Sequence, residues 1–132
     1  MPVGLLLDAS VFIAAEAGRP LQRRPEGEAR VSVVTLAELR LGVLRAGGRV
    51  RELREATLAA ARRFVPLVVD EHVADELAAL LANLRASQRR AKAFDCFIAA
   101  TALAHELTVV AQDAADFHEL QAAEPRLSVA LV

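Results

Sequence analysis

The stretch VGLLLD, Val3 to Asp8, is a short continuous apolar run that ends in an acid. Runs of this kind suit strands covered on both faces of a parallel sheet, where no solvent side imposes alternation. Val3 to Leu7 is therefore expected as a central strand with Asp8 directly behind it. Three later segments repeat the design: RVSVV (Arg30–Val34), LVVD (Leu67–Asp70) and LTVVAQD (Leu107–Asp113). LSVALV at the C-terminal end reads as a last strand.

Helical spacing fills the intervals. Leu36, Leu39 and Val43 recur at i, i+3 and i+7, and Val73, Leu77, Leu80, Leu81 and Leu84 mark a second amphipathic face. Phe97, Ile98, Thr101, Ala102 and His105 outline a third, largely buried helix. Shorter helices are expected over Ser10–Ala17 and Val50–Arg63. Glu16–Ala29 carries most of the turn chemistry and reads as the longest exposed loop, while RAGGR (Arg45–Arg49) reads as a helix break. Strands alternating with helices predict right-handed βαβ crossovers and an α/β fold of three layers, a four- to five-stranded parallel sheet flanked by helices. The 132 residues suit one domain, 1–132, large enough for one core.

Composition narrows the function. With 55% hydrophobic and 25% charged residues the chain is globular rather than disordered. No apolar stretch approaches the roughly 20 residues needed to cross a bilayer, and the opening MPVGLLLDAS has neither a basic leader nor a cleavage site. No membrane association and a cytoplasmic location are expected. One cysteine, Cys96, excludes an intramolecular disulfide and a thiolate zinc site, and reads as a small buried residue. His72, His105 and His118 show none of the pairings a zinc hydrolase uses. Phosphate-loop, dinucleotide and nucleophile-elbow motifs are absent from the sequence. The formal net charge of −1 gives no global field to attract a polyanion, so any nucleic-acid contact must come from local arginine patches.

Residues directly after the strands of an open parallel sheet matter most, because ligands bind outside the carboxyl ends where strand order reverses. Asp8 follows the first strand and Asp113 the fourth; Glu38 lies one helical turn after the second; Asp95 opens the helix that leads into the fourth. Each has an ordinary structural role as well. Thr35 and Glu38 form T-x-x-E, a capping box; Asp95 complements a helix dipole; Asp8, Asp70 and Asp113 can cap helices, and Ser10 can do the same. The fold nevertheless gathers Asp8, Glu38, Asp95 and Asp113 at one sheet edge with no lysine expected nearby. Like charges that close oppose folding unless a cation neutralises them, and oxygen-only ligands select hard ions such as Mg²⁺ or Mn²⁺.

LLLDASVFIAA near the start, VVTLAELRLGVL at Val33–Leu44 and FDCFIAATALAHELTVVAQDAADF at Phe94–Phe117 resemble, in this order and spacing, the PIN-domain toxins of VapBC toxin–antitoxin modules. The resemblance spans essentially the whole chain and implies a PIN-like fold. It implies an Mg²⁺- or Mn²⁺-dependent endoribonuclease that acts on RNA, forms a homodimer and is blocked by a small VapB-type antitoxin. The acids matching the family's metal site are Asp8, Glu38, Asp95 and Asp113, with Asp8, Asp95 and Asp113 as ligands and Ser10 and Asp116 in support. Either Asp113 or Asp116 serves as the fourth acid. Ala111 stands where many members carry Ser or Thr. Glu38 or Asp113 is expected to orient the attacking water, and Arg40 and Arg45 to hold flanking phosphates. Leu41 and Leu44, off the main face of their helix, suggest a groove for an antitoxin helix or a dimer seam.

Other classes fit less well. An aspartyl-nucleophile phosphatase needs a general acid two residues after Asp8, where Ser10 stands. A receiver-like signalling domain needs a lysine after a late strand, and Lys92 is the only lysine. A catalytically inactive PIN-like module that binds RNA or a partner is the main alternative.

Overall fold

In the computed structural model, which describes residues 4–113 and 115–132, the opening apolar run is strand β1 (Gly4–Leu7), hydrogen-bonded on both sides. Val3, at the head of the expected strand, lies outside the described residues. The other strands are β2 (Glu28–Ser32), β3 (Pro66–Leu67), β4 (Leu107–Ala111) and β5 (Val129–Leu131). All pair in parallel, in the order β3-β2-β1-β4-β5. The helices are α1 (Ala9–Glu16), α2 (Val33–Arg45), α3 (Gly48–Ala61), α4 (Glu71–Ala86), α5 (Ala93–His105) and α6 (Ala115–Ala123).

Register explains the continuous apolar runs. Leu5 lies beside Ala29 and Thr108, and Leu7 beside Val110, on one face of the sheet. There Val31 packs with Phe12 of α1, Leu39 and Val43 of α2 and Leu58 of α3. Leu6 and Val109 point to the opposite face, into a cluster with Leu80 and Leu84 of α4, Ile98 and Ala102 of α5, and Phe117 and Leu120 of α6. Each side chain as fully buried as Leu6 or Phe117 stabilises the fold by roughly 1.5–3 kcal/mol. The layers are therefore α/β/α, as the alternation of strands and helices predicts. Gly4 keeps β1 close to its neighbours, since a Cβ there would lie 2.8 Å from Leu107 Cδ2.

Element ends differ from expectation for identifiable reasons. Ser32 Oγ accepts a hydrogen bond from Val34 N at 3.0 Å and caps α2, so Val33 and Val34 are helical although β-branched. β3 stops at Leu67, leaving Val68 and Val69 exposed, and Asp70 caps α4 by accepting from Val73 N at 2.9 Å. β4 ends at Ala111 rather than Asp113. The break between α2 and α3 falls at Ala46 and Gly47, within the expected RAGGR segment. Helix α6 has no counterpart in the sequence reading.

Candidate active site

Strand order reverses at β1, whose neighbours β2 and β4 are reached by crossovers in opposite directions, so a crevice forms at the carboxyl ends of β1 and β4. Asp8 is the first residue beyond β1. Its backbone N–H donates to Val110 O at 2.9 Å and its carboxylate accepts from Ser10 N at 3.2 Å, capping α1. The side chain is thereby fixed at the crevice floor and almost wholly buried. Ser10 Oγ accepts from Gln112 N at 3.1 Å, tying α1 to the end of β4.

Glu38 projects from α2. Because Ser32 caps that helix, the expected Thr35–Glu38 capping box does not form; Thr35 is fully buried and its hydroxyl donates to Leu7 O at 3.5 Å. Glu38 is left free of capping duty, and its Oε1 is buried with no hydrogen-bond partner among the described residues. Asp95, in the first turn of α5, is buried, and Asp116, in the first turn of α6, is half-buried. Asp8, Ser10, Glu38, Asp95 and Asp116 line one cavity of about 180 Å³, together with Ile13, Lys92 and Phe94.

The electrostatics are those of crowded acids. Burial, reinforced by the charges of Asp8, Asp95 and Asp116, pushes the Glu38 carboxyl up to about 7. Burial, with Asp8 and Asp116, pushes Asp95 up to about 6. Asp8 is also raised, chiefly by burial, although the hydroxyl and backbone N–H of Ser10 pull it down. Contrary to the expectation of no lysine nearby, Lys92 lines the cavity and lowers both Glu38 and Asp95. It precedes Asp95 by less than one helical turn, which places both at the head of α5.

Oxygen donors, an orphaned buried Glu38 oxygen and raised carboxyls suit a hard dication. Among the described residues no three His, Cys, Asp or Glu side chains stand close enough to grip one ion directly.

The remaining expected residues are distributed differently. Asp113 is exposed, accepts a hydrogen bond from Ala115 N at 2.9 Å, and is not among the described residues that line the cavity. Arg40 is exposed and is not among the described residues that line the cavity, whereas Arg45 lines a groove that adjoins the cavity through Ile13, Glu38 and Phe94. Arg54 of α3 lines the same groove, and nothing in the sequence separates it from Arg49 and Arg51 on the same helix. His72 and His118 are exposed, and Cys96 is buried with its thiol pushed up by that burial.

These features define an open-sheet α/β protein with a carboxylate site at its topological switch point. The model of the PIN domain family matches residues 5–122. Ribonuclease VapC4 of Mycobacterium tuberculosis is 48% identical over 110 residues, covering 82% of this chain and 85% of that protein. Ribonuclease VapC5 of the same species is 44% identical over 115 residues, covering 85% and 84%. The chain belongs to the PIN-domain family, in its VapC branch. Its fold superposes with a TM-score of 0.81 on a crystal structure of VapBC-5, a toxin–antitoxin family member from Mycobacterium tuberculosis, at 39% identity and full coverage of both chains.

Proposed function

We propose that the protein is a metal-dependent endoribonuclease and the toxin of a VapBC-type toxin–antitoxin module. The observation that carries this reading is the buried Oε1 of Glu38, without a hydrogen-bond partner among the described residues, in a cavity shared with three aspartates. A carboxylate oxygen kept from water without a donor is destabilising by itself, and a cation in the same cavity would offset that cost. The names of the VapC relatives support RNA as substrate.

Asp8 and Asp95 would hold Mg²⁺ or Mn²⁺, with Asp116 rather than Asp113 as the further acid. When bound, the ion supplies Lewis-acid activation of water and charge stabilisation at the phosphodiester. Glu38, with Oε1 buried in the cavity wall, takes the proton of the attacking water. Lys92 donates to a phosphate oxygen at the cavity mouth, and Ser10 keeps Asp8 in place. Arg45 holds a flanking phosphate.

The crystal structure of VapBC-5 supports a VapB-type antitoxin as partner. Ile13, Leu44, Val50 and Leu53 leave exposed apolar surface on α1 to α3, which suits an apolar antitoxin segment laid toward the site. A homodimer and a cytoplasmic location belong to the same reading. No described helix is long and apolar enough to cross a membrane.

Cleavage of candidate RNAs by the purified chain tests the proposal. Activity with Mg²⁺ or Mn²⁺ should stop on adding EDTA and fall by about 10²-fold or more in a folded Asp95→Asn variant. RNA binding without cleavage by the metal-loaded chain would instead identify an inactive binding module.

A further inference from the structure

Beyond the carboxylate cavity runs a groove of about 330 Å³ that shares Ile13, Glu38 and Phe94 with it and adds Gly42, Arg45 and Arg54. Arg54 is unusual among the arginines of this chain. It is half-buried, and its Nε is shut off from solvent with no acceptor among the described residues. Arg51 on the same helix has Glu55 at 3.5 Å, Arg89 has Glu119 and Arg126 has Glu76, both at 3.1 Å. No described carboxylate comes within ion-pair distance of Arg54: of the two acids that share a neighbouring recess with it, Glu16 is engaged by the Thr57 hydroxyl at 2.8 Å, and Glu38, which also lines the groove, makes no ion pair with it. A guanidinium cannot shed its charge, so a partly desolvated one without an anion calls for a ligand that brings one.

Gly42 makes room for this side chain. A Cβ at that position would stand 3.2 Å from Arg54 Nη1, and no other atom except Arg54 Cδ lies within contact distance. Glycine inside a helix is unfavourable relative to alanine, so its use in α2 matches a need for space beside the guanidinium.

We propose that Arg54, with Arg45, binds the phosphate next to the one that is cut. The inference rests on the ribonuclease reading above. A strand whose scissile phosphate occupies the carboxylate cavity must continue into contiguous space, and the groove beyond Glu38 is such space, with two arginines in its wall. The planar fork of arginine matches two phosphate oxygens at once, which lysine cannot reproduce.

The test is binding of a short fluorescent single-stranded RNA, followed by anisotropy in EDTA so that no cleavage occurs. Arg54→Gln should weaken binding about tenfold near 0.1 M salt and lower the slope of log K against log salt by about 0.7. Arg54→Lys should keep the slope while recovering only part of the affinity. Gly42→Ala should weaken binding several-fold with an unchanged or higher melting temperature, because its Cβ displaces only the guanidinium. If Arg54→Gln melts early, the comparison with Arg54→Lys decides: equal slopes overturn the proposal, and a lower slope in the glutamine variant alone supports it. Unchanged affinity in folded Arg54→Gln and Gly42→Ala, with cleavage by the unaltered protein intact, overturns the Arg54 assignment and leaves the ribonuclease standing. Failure of the unaltered protein both to bind and to cleave RNA removes both.

Discussion

The hydroxyl of Ser10 accepts a hydrogen bond at 3.1 Å from the backbone N–H of Gln112, joining the head of α1 to the end of β4 across 102 positions of sequence. The same residue's backbone N–H caps onto Asp8 at 3.2 Å. Ser10 thus fixes two strand ends relative to each other, and the acid between them inherits that rigidity. Ser10→Ala should orphan the Gln112 N–H and lower stability by about 1–2 kcal/mol in urea unfolding. It should also raise the Asp8 carboxyl further, moving the acid limb of the activity profile to higher pH. An unchanged limb in the alanine variant would show that Ser10 is only a brace.

Glu38 at about 7 and Asp95 at about 6 make the metal-free protein sensitive to pH in a defined direction. Their folded values exceed the ordinary 4.5 and 3.8, so the folded state binds more protons than the unfolded one between those limits. Stability then falls as pH rises from about 4 to about 7. Melting in EDTA should show this loss, and Glu38→Gln should flatten it. Added Mg²⁺ should stabilise more at pH 8 than at pH 5, where protons occupy the same oxygens. A metal-free melting temperature that rises over this range would contradict the crowded-acid description.

Lys92 supplies positive charge at the cavity mouth. Lys92→Gln should push Glu38 and Asp95 still higher, shifting the acid limb of cleavage upward, with little effect on folding because the side chain is exposed. Raised ionic strength should shrink the difference between the two proteins. A limb that stays in place would mean that Lys92 does not face the acids in solution.

Asp113 and Asp116 are separated by their surroundings. Asp116 lines the cavity, whereas Asp113 accepts from Ala115 N on the exposed side. Asp116→Asn should reduce cleavage by about tenfold or more, a loss of transition-state stabilisation of about 1.4 kcal/mol or more. Asp113→Asn, which keeps an acceptor for the Ala115 amide, should remain near the unaltered rate. The reverse ranking would restore Asp113 to the site.

Much of this architecture is legible in VGLLLD and its three repetitions, because strands buried on both faces must be apolar throughout and the fold class follows from their alternation with helices. The placement of Asp8, Glu38 and Asp95 at one crevice follows from the same pattern. Local chemistry misleads where tertiary burial overrides it. Thr35–Glu38 has the spacing of a capping box, yet Thr35 is taken into the core against Leu7 and the capping passes to Ser32. Val33 and Val34 look like strand residues but open α2. Asp113 precedes α6 and accepts from its first backbone N–H, whereas Asp116 lies in its first turn and faces the cavity, a difference that only the start of that helix decides. Lys92 could have been found by counting back three residues from Asp95 to the head of the same helix. Arg54 could not, since only folding reveals which arginine on α3 loses its solvent.

Whether the crowded acids take up a hard cation is read from calorimetric titration of the metal-free chain with Mn²⁺. Saturable uptake is predicted, with heat that varies with the buffer because bound protons leave Glu38 and Asp95, and with affinity at least about tenfold lower in Asp95→Asn. Absence of uptake, or identical uptake by the folded Asp95→Asn protein, would mean that Asp8, Asp95 and their neighbours do not form a cation site.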